Sequence, residues 1–162
     1  MMKSRIIQLF TESRELTDEQ RLQILGHAKE EGLSGWGGEC GEVAIAINEL
    51  LFGGRGQLVA AINVPMWKIF DRLVGHVGVR DANGSIWDAD GTYDDEEDKE
   101  EFRAWGMVDP DDDDFDVSEE EAYEAEIVEM SKEQVRQSLS DCSVRNPYDA
   151  IKSTMIKLGF LK

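Results

Sequence analysis

Four glycines within eight residues, followed at once by a helix that is apolar on most of its surface, constrain this chain more than any other feature. The glycine-rich stretch is SGWGGECG, residues 34–41. Glycine tolerates backbone conformations that other residues avoid, so this spacing predicts a tight turn. The next stretch, EVAIAINELLF at 42–52, has five consecutive apolar residues. A helix with so little polar surface is a buried one, so the sequence predicts a buried helix that starts close to Cys40.

Local capping signals predict the remaining helices. Thr17 with Gln20 reads as a capping box for a helix over about 18–31, and Gly32 is suited to end it. A second capping box opens at Ser131 and starts a helix to about 140, and Asn146-Pro147 suits the start of a helix to about 158. Residues 4–12 are expected to form a further short helix.

Short apolar runs predict a small sheet between these helices. The segments 74–81 and 85–91 flank Asn83-Gly84, and Asn-Gly between two β-like runs is a strong hairpin signal. Two more strands are expected at 57–64 and 124–130. Helices, then a small and mostly antiparallel sheet, then helices, make an α+β fold. A chain of 162 residues fits one domain over 1–162.

Negative charge is concentrated in one part of the chain. Residues 94–121 contain sixteen acids and two bases, which gives this segment −14 of the chain's net −18. Like charges repel and extend a chain, so 92–121 is expected to be an acidic, partly flexible loop or lid. No basic patch is visible, which disfavours direct binding to nucleic acid.

The composition also narrows the compartment and the cofactors. No run of about 18 apolar residues exists, and the amino-terminal residues turn polar before a signal-peptide core could form, so a cytoplasmic protein without membrane contact is expected. Two cysteines do not make a disulfide scaffold. No metal or organic cofactor is expected: DADGTYD at 88–94 has carboxylates around a glycine, but Lys99 stands where a calcium loop needs glutamate.

Cys40 at a helix start carries the first candidate chemistry. Unpaired backbone N–H groups and partial positive charge at a helix amino end favour a thiolate and can hold an oxyanion. The neighbouring glycines, Gly37, Gly38 and Gly41, would let a substrate backbone approach, and Trp36 could form one wall of a cleft. The plain alternative is a cysteine that only packs as a small apolar residue.

His76 on the predicted hairpin is the candidate base. With a turn at 82–84, residue 81 faces 85 and His76 faces Asp90, whereas a register shifted by two brings Asp88 opposite His76. Either carboxylate could then hold the imidazole, because residues 88 and 90 share one strand face. Asp90 is in either case a candidate for lining the substrate cleft. Three tryptophans are expected to lie in the core rather than to bind substrate: Trp67, Trp87 and Trp105.

The sequence places a cysteine at the start of a buried helix and then a histidine on a hairpin. In this order of motifs it resembles the papain-like cysteine peptidase superfamily. HVGVRDANGSIWDADG at 76–91 is similar to the histidine hairpin of NlpC-type cell-wall peptidases. The resemblance covers about 34–91 and implies a papain-like fold, with Cys40 as nucleophile, His76 as base and acid, and Asp88 as orienting residue. Two positions depart from it: Ser34 replaces the glutamine of papain, and Asp88 replaces the usual third histidine.

The sequence therefore predicts a cysteine hydrolase, deamidase or acyl-transferase that acts on an amide or thioester of a basic peptide or protein. A non-enzymatic alternative stays open, in which the chain uses the acidic residues 94–121 to bind or inhibit a basic partner. The two differ in whether function depends on Cys40.

Overall fold

The computed structural model describes residues 15–33, 40–70, 74–112, 117–138 and 146–161. Inside these ranges, five side chains lie outside the description: Cys40, Ile69, Phe70, Val74 and Ser138. The helix predicted at 4–12 also lies outside the described residues.

The described strands form one antiparallel sheet. Its members are β1 (Gln57–Asn63), β2 (Val74–Arg80), β3 (Ile86–Asp88), β4 (Gly91–Tyr93) and β5 (Ala125–Glu129). They lie in the order β4-β3-β2-β1-β5, and each neighbouring pair is antiparallel. The predicted antiparallel sheet is thus confirmed.

Seven helices lie in the described residues. They are α1 (Asp18–Glu30), α2 (Cys40–Leu51), α3 (Val64–Phe70), α4 (Glu96–Ala104), α5 (Glu119–Ala122), α6 (Lys132–Ser138) and α7 (Pro147–Lys157). The capping boxes predicted at Thr17 and Ser131 are both present. Asn146 caps α7, with Pro147 in its first turn as expected. The chain is therefore α+β, as predicted.

The structure differs from the predicted elements in three places. Val64–Phe70 form α3, where no helix was predicted. The single strand expected over 85–91 is two strands, because the chain turns at 89–90 and Gly91 has a φ of +126°, which favours glycine. The acidic segment 92–121, expected to be a loop or lid, contains β4, α4 and α5. Glu96, Glu97 and Asp98 occupy the first turn of α4, where negative charge favours the helix. The acids thus help to start α4.

Apolar side chains cover both faces of the sheet. On one face α2 packs against β1, β2 and β3, in a core whose largest members include Ile24, Leu25, Ile47, Leu51, Val77, Val79, Trp87, Ile151 and Met155. On the other face a smaller cluster joins Val59, Ala61 and Ile86 to Phe102 of α4. The sheet therefore separates α2 from α4.

Glycines bring the end of α4 against the sheet. A Cβ atom at Gly75 would lie 1.7 Å from the carbonyl oxygen of Trp105, and one at Gly106 would lie 2.5 Å from the carbonyl oxygen of Ile62. Only residues without a side chain fit at these two positions. The close approach places Trp105 beside the start of β2. In the part of the chain that the structure describes, every helix is too short or too polar to span a bilayer.

Candidate active site

Asp88 is a buried carboxylate surrounded by hydrogen-bond donors. It is 3% exposed at the end of β3. Its Oδ2 atom lies 2.8 Å from His76 Nε2 and accepts the Tyr93 hydroxyl at 2.8 Å. Its Oδ1 atom accepts the backbone N–H of Asp90 at 2.8 Å. Burial of a carboxylate is costly unless its oxygens are paired, and here donors from three positions pair them.

The hairpin turn sets the register that joins His76 to Asp88. The Asp81 N–H donates to the Ser85 carbonyl at 2.9 Å, and Val79 pairs with Trp87. This is the first of the two predicted registers, so Asp88 stands level with Gly78, one diagonal step from His76. Gly78 has no side chain to block the diagonal, and a Cβ there would lie 2.8 Å from the Trp87 carbonyl oxygen.

Asp90 takes a different partner. Its carboxylate forms an ion pair with Lys29 of α1, while Asp88 holds the imidazole. The side chain of Lys29 is 55% exposed and that of Asp90 is 38% exposed. Of the two carboxylates that the sequence left open, Asp88 is the one in contact with His76.

Two aromatic rings enclose the imidazole of His76. The ring of Phe102 lies 5.3 Å from it between centroids, and the ring of Trp105 lies 5.7 Å away. The His76 side chain is 13% exposed. When Asp88 is ionised, Nε2 carries the proton that it donates to Oδ2, and the neutral imidazole then has its basic lone pair on Nδ1.

Tyr93 completes the group around Asp88. Burial raises the pKa of its phenol well above the usual value, and the negative charge of Asp88 raises it further. Tyr93 therefore stays protonated at neutral pH and acts as a donor. Its ring meets Phe102 edge to face, with centroids 5.3 Å apart.

Cys40 is the first residue of α2, as predicted, although its side chain lies outside the described atoms. The far part of α2 is tied to the chain before β1, because the Asn48 side chain bonds both the N–H and the carbonyl of Gly56. Eight helical residues from Asn48 back to Cys40 span about 12 Å, which equals roughly four strand residues. Counted from Gly56, that length reaches Ala60, and the next residue, Ala61, pairs with His76.

The sheet lies between the start of α2 and the imidazole. His76 pairs with Ala61, so both side chains lie on the α4 face, whereas α2 packs on the opposite face. β3 ends at Asp88, and among the described residues no strand borders β2 on that side below Gly78. A contact between the Cys40 thiol and His76 would have to pass the edge of β2 beyond the end of β3.

Of the other residues predicted to line the cleft, the structure describes only one. Trp36, Gly37 and Gly38 lie outside the described residues, and Gly41 is buried in the first turn of α2.

The tryptophans differ from one another in exposure. Trp87 is a core residue, as expected, and its indole N–H donates to Asp81 at 2.9 Å. Trp67 is partly buried against the same core. Trp105 is 40% exposed next to His76, so the prediction that it lies in the core is wrong.

Tyr93 is the site residue that sequence reasoning missed. It pairs with Ile86 across β3 and β4, so it shares a face with Asp88, two residues further along β3. Reading Asp88 to Gly91 as a turn between two strands, rather than as the end of one strand, would have indicated this position.

Comparisons with protein-family models, with curated proteins and with solved structures find no match to this chain. Fold and site thus define an α+β protein that carries a buried His–Asp pair on its sheet. Among the residues that the structure describes, no group of three or more histidine, cysteine or acidic side chains is arranged to hold a metal ion.

Proposed function

We propose that the protein is a cytoplasmic, papain-like cysteine hydrolase, deamidase or acyl-transferase that attacks an amide or thioester carbonyl. Cys40 is the nucleophile, His76 the general base and acid, and Asp88 the residue that orients His76. One observation carries the proposal: a carboxylate that is 3% exposed holds the Nε2 edge of the histidine at 2.8 Å. This leaves the basic lone pair of the neutral imidazole on Nδ1, where a thiol proton would be accepted.

The reaction follows from these roles. Nδ1 of His76 takes the thiol proton, and the Cys40 sulfur bonds to the substrate carbonyl carbon. Backbone N–H groups at the start of α2 stabilise the negative oxygen of the tetrahedral intermediate. The imidazolium then gives its proton to the leaving amine or thiol as the carbonyl–leaving group bond breaks. Water, or another acyl acceptor, releases the acyl group from sulfur by the reverse sequence, and no cofactor takes part.

Asp88 contributes in two ways within this scheme. Its contact with Nε2 keeps the imidazole in the tautomer that the base step needs. Its negative charge also stabilises the imidazolium that forms when the thiol loses its proton. Both effects require the carboxylate to stay fixed, and its three donors fix it.

Alignment of α2 with β2 supports the choice of Cys40 as nucleophile. By the helix and strand lengths, the start of α2 reaches about the level of His76 along the sheet. The proposal requires the thiol to meet Nδ1 past the edge of β2 beyond the end of β3. This requirement makes the proposal sensitive to a direct test of coupling between thiol and imidazole.

The substrate we propose is a peptide or protein with basic side chains. Trp105 offers 40% of its surface to solvent beside His76, and an indole face attracts a cationic group. Glu101 lies one helical turn before Trp105 and is exposed. The acidic residues of α4 would also increase the local concentration of a basic substrate.

The test measures how fast iodoacetamide alkylates Cys40 as pH is varied. A Cys142→Ala background leaves Cys40 as the sole thiol. If His76 activates the thiol, the rate follows an apparent thiol pKa well below the ordinary value of about 8.5. His76→Ala should move that pKa back towards the ordinary value and reduce the rate at pH 6.5 by roughly tenfold or more. His27→Ala serves as the matched control and should change neither quantity.

An identical pH–rate profile in the His76→Ala and parent proteins would refute the proposal. A basic partner that still binds Cys40→Ala, and that dissociates as salt is raised, would favour the acidic interaction protein instead.

A further inference from the structure

We propose that Tyr93 is a positioning residue: its hydroxyl helps to hold the carboxylate of Asp88 against His76 and limits how strongly that carboxylate stabilises the protonated imidazole. The catalytic meaning of this role rests on the proposed function. The structural role does not, because it concerns only the described contacts of Asp88.

Both donors converge on one oxygen. His76 Nε2 and the Tyr93 hydroxyl each lie 2.8 Å from Asp88 Oδ2, while the N–H of Asp90 binds Oδ1 at 2.8 Å. The backbone N–H alone would leave the carboxylate able to rotate about the axis through Oδ1. Nε2 and the Tyr93 hydroxyl together remove that freedom, and both draw on the charge of the same oxygen.

The ring of Tyr93 is held independently of its hydroxyl. Phe102 is fully buried and meets the ring of Tyr93 on one side and that of His76 on another, each at 5.3 Å between centroids. β4 also pairs Tyr93 with Ile86. Loss of the hydroxyl alone therefore leaves the packing of Tyr93 in place, which separates its polar role from its apolar one.

The hydroxyl also takes up part of the negative charge of Asp88. Without it, more of that charge acts on His76, the imidazolium is stabilised, and the pKa of His76 rises. Among the described residues, the charged groups near the pair include Asp90 with its partner Lys29, and Glu101 of α4, whose charge acts on Tyr93. These groups are unchanged when Tyr93 becomes phenylalanine, so the change in His76 reports the hydroxyl.

The experiment is an NMR titration of the two histidines in the full chain. In Tyr93→Phe we expect the His76 midpoint to rise by about 0.5 to 1 pH unit, with a changed ¹⁵N shift at Nε2. Tyr123→Phe is the matched control, because Tyr123 is 49% exposed, and it should leave both quantities unchanged. His27, with a side chain 51% exposed, is the internal reference.

A second variant strengthens the hydroxyl donor at position 93 instead of removing it. The test then remains valid even if Tyr93→Phe does not fold. In a Tyr123→Phe and Tyr148→Phe background, 3-fluorotyrosine at position 93 is a stronger donor of the same shape and should lower the His76 midpoint. Unchanged midpoints and Nε2 shifts in both proteins would overturn the inference.

The same titration in Cys40→Ala separates this inference from the proposed function. If the Tyr93 effect persists there while His76→Ala leaves the alkylation profile unchanged, Tyr93 positions the pair and the hydrolase proposal fails. If alkylation depends on His76 but the Tyr93 variants do not move the midpoint, the hydrolase proposal stands and the role of Tyr93 is overturned.

Discussion

Gly75→Ala should destabilise the protein strongly, because the new methyl group has no space. The Cβ atom would lie 1.7 Å from the Trp105 carbonyl oxygen, 2.4 Å from its carbon and 2.9 Å from the Gly106 nitrogen. A comfortable C···O separation is about 3.3 Å, so the chain after α4 would have to move by roughly 1.6 Å. All three obstructing atoms belong to the backbone, which yields less readily than the end of a side chain.

The expected cost is at the upper end of the range for overpacked sites, about 3 kcal/mol. For a chain of this size each kcal/mol shifts the melting temperature by roughly 2–4 °C, so a decrease of about 6–12 °C follows. The assay is thermal and urea unfolding monitored by circular dichroism.

Gly26→Ala is the matched control, since it makes the same chemical change in open space. Gly26 lies within α1, and a Cβ there would meet nothing within 4 Å. Alanine in a helix is preferred over glycine by about 0.5–1 kcal/mol, so this variant should be more stable than the parent. If Gly75→Ala melts at the parent temperature, or if both variants change stability in the same direction, the close approach of Trp105 to β2 is wrong.

Two further perturbations test separate contacts. Because the pKa of Tyr93 is raised in the folded protein, the stability from its retained proton is fully present below pH about 10 and is lost as pH rises above it. Between pH 9 and 11.5 the free energy of unfolding measured in urea should fall more steeply for the parent than for Tyr93→Phe. The difference in slope should be less than about 1.4 kcal/mol per pH unit, because the ring is only partly buried. Parallel curves would contradict this. Asn48→Ala removes both bonds to Gly56 and should cost about 2 kcal/mol in urea unfolding, and a cost under about 0.5 kcal/mol would contradict it.

Sequence patterns predicted the parts of the fold whose causes are local. A capping box such as Thr17 with Gln20 joins side chains to backbone groups three residues away, so the signal and the structure lie in the same few residues. The Asn83-Gly84 turn is local in the same sense. The helices with the predicted capping signals and the hairpin could therefore be located to within a few residues.

Helix α4 could not be predicted in the same way, because its decisive contacts are distant in sequence. Its residues are mostly acidic, and repulsion favours an extended chain. The helix forms because Phe102 is buried against the sheet and Arg103 donates to the Ala125 carbonyl at 2.8 Å. Neither partner is indicated by residues 96–104 themselves.

The candidate site also combines contacts that are local in sequence with contacts that are distant in sequence. Strand alternation and the turn place His76 and Asp88 on one face, but the observed register was expected to set Asp90 opposite His76, so residues 76–91 alone left the choice between the two carboxylates open. The surroundings of the pair come from β4 and α4. Tyr93, Phe102 and Trp105 reach it only because the sheet is folded, and sequence spacing alone does not bring them together.

The pattern Gly-His-Val-Gly at 75–78 connects the fold to the chemistry. Gly75 lets the end of α4 approach until Trp105 meets the imidazole, and Gly78 leaves the diagonal open through which Asp88 reaches Nε2. A larger residue at either position would fill space beside His76 and displace one of these neighbours. Val77 lies between them on the opposite face and packs into the core with α2. One short strand segment thus joins the core around α2 to the His76–Asp88 pair, so a disturbance of β2 packing should change stability and the titration of His76 together.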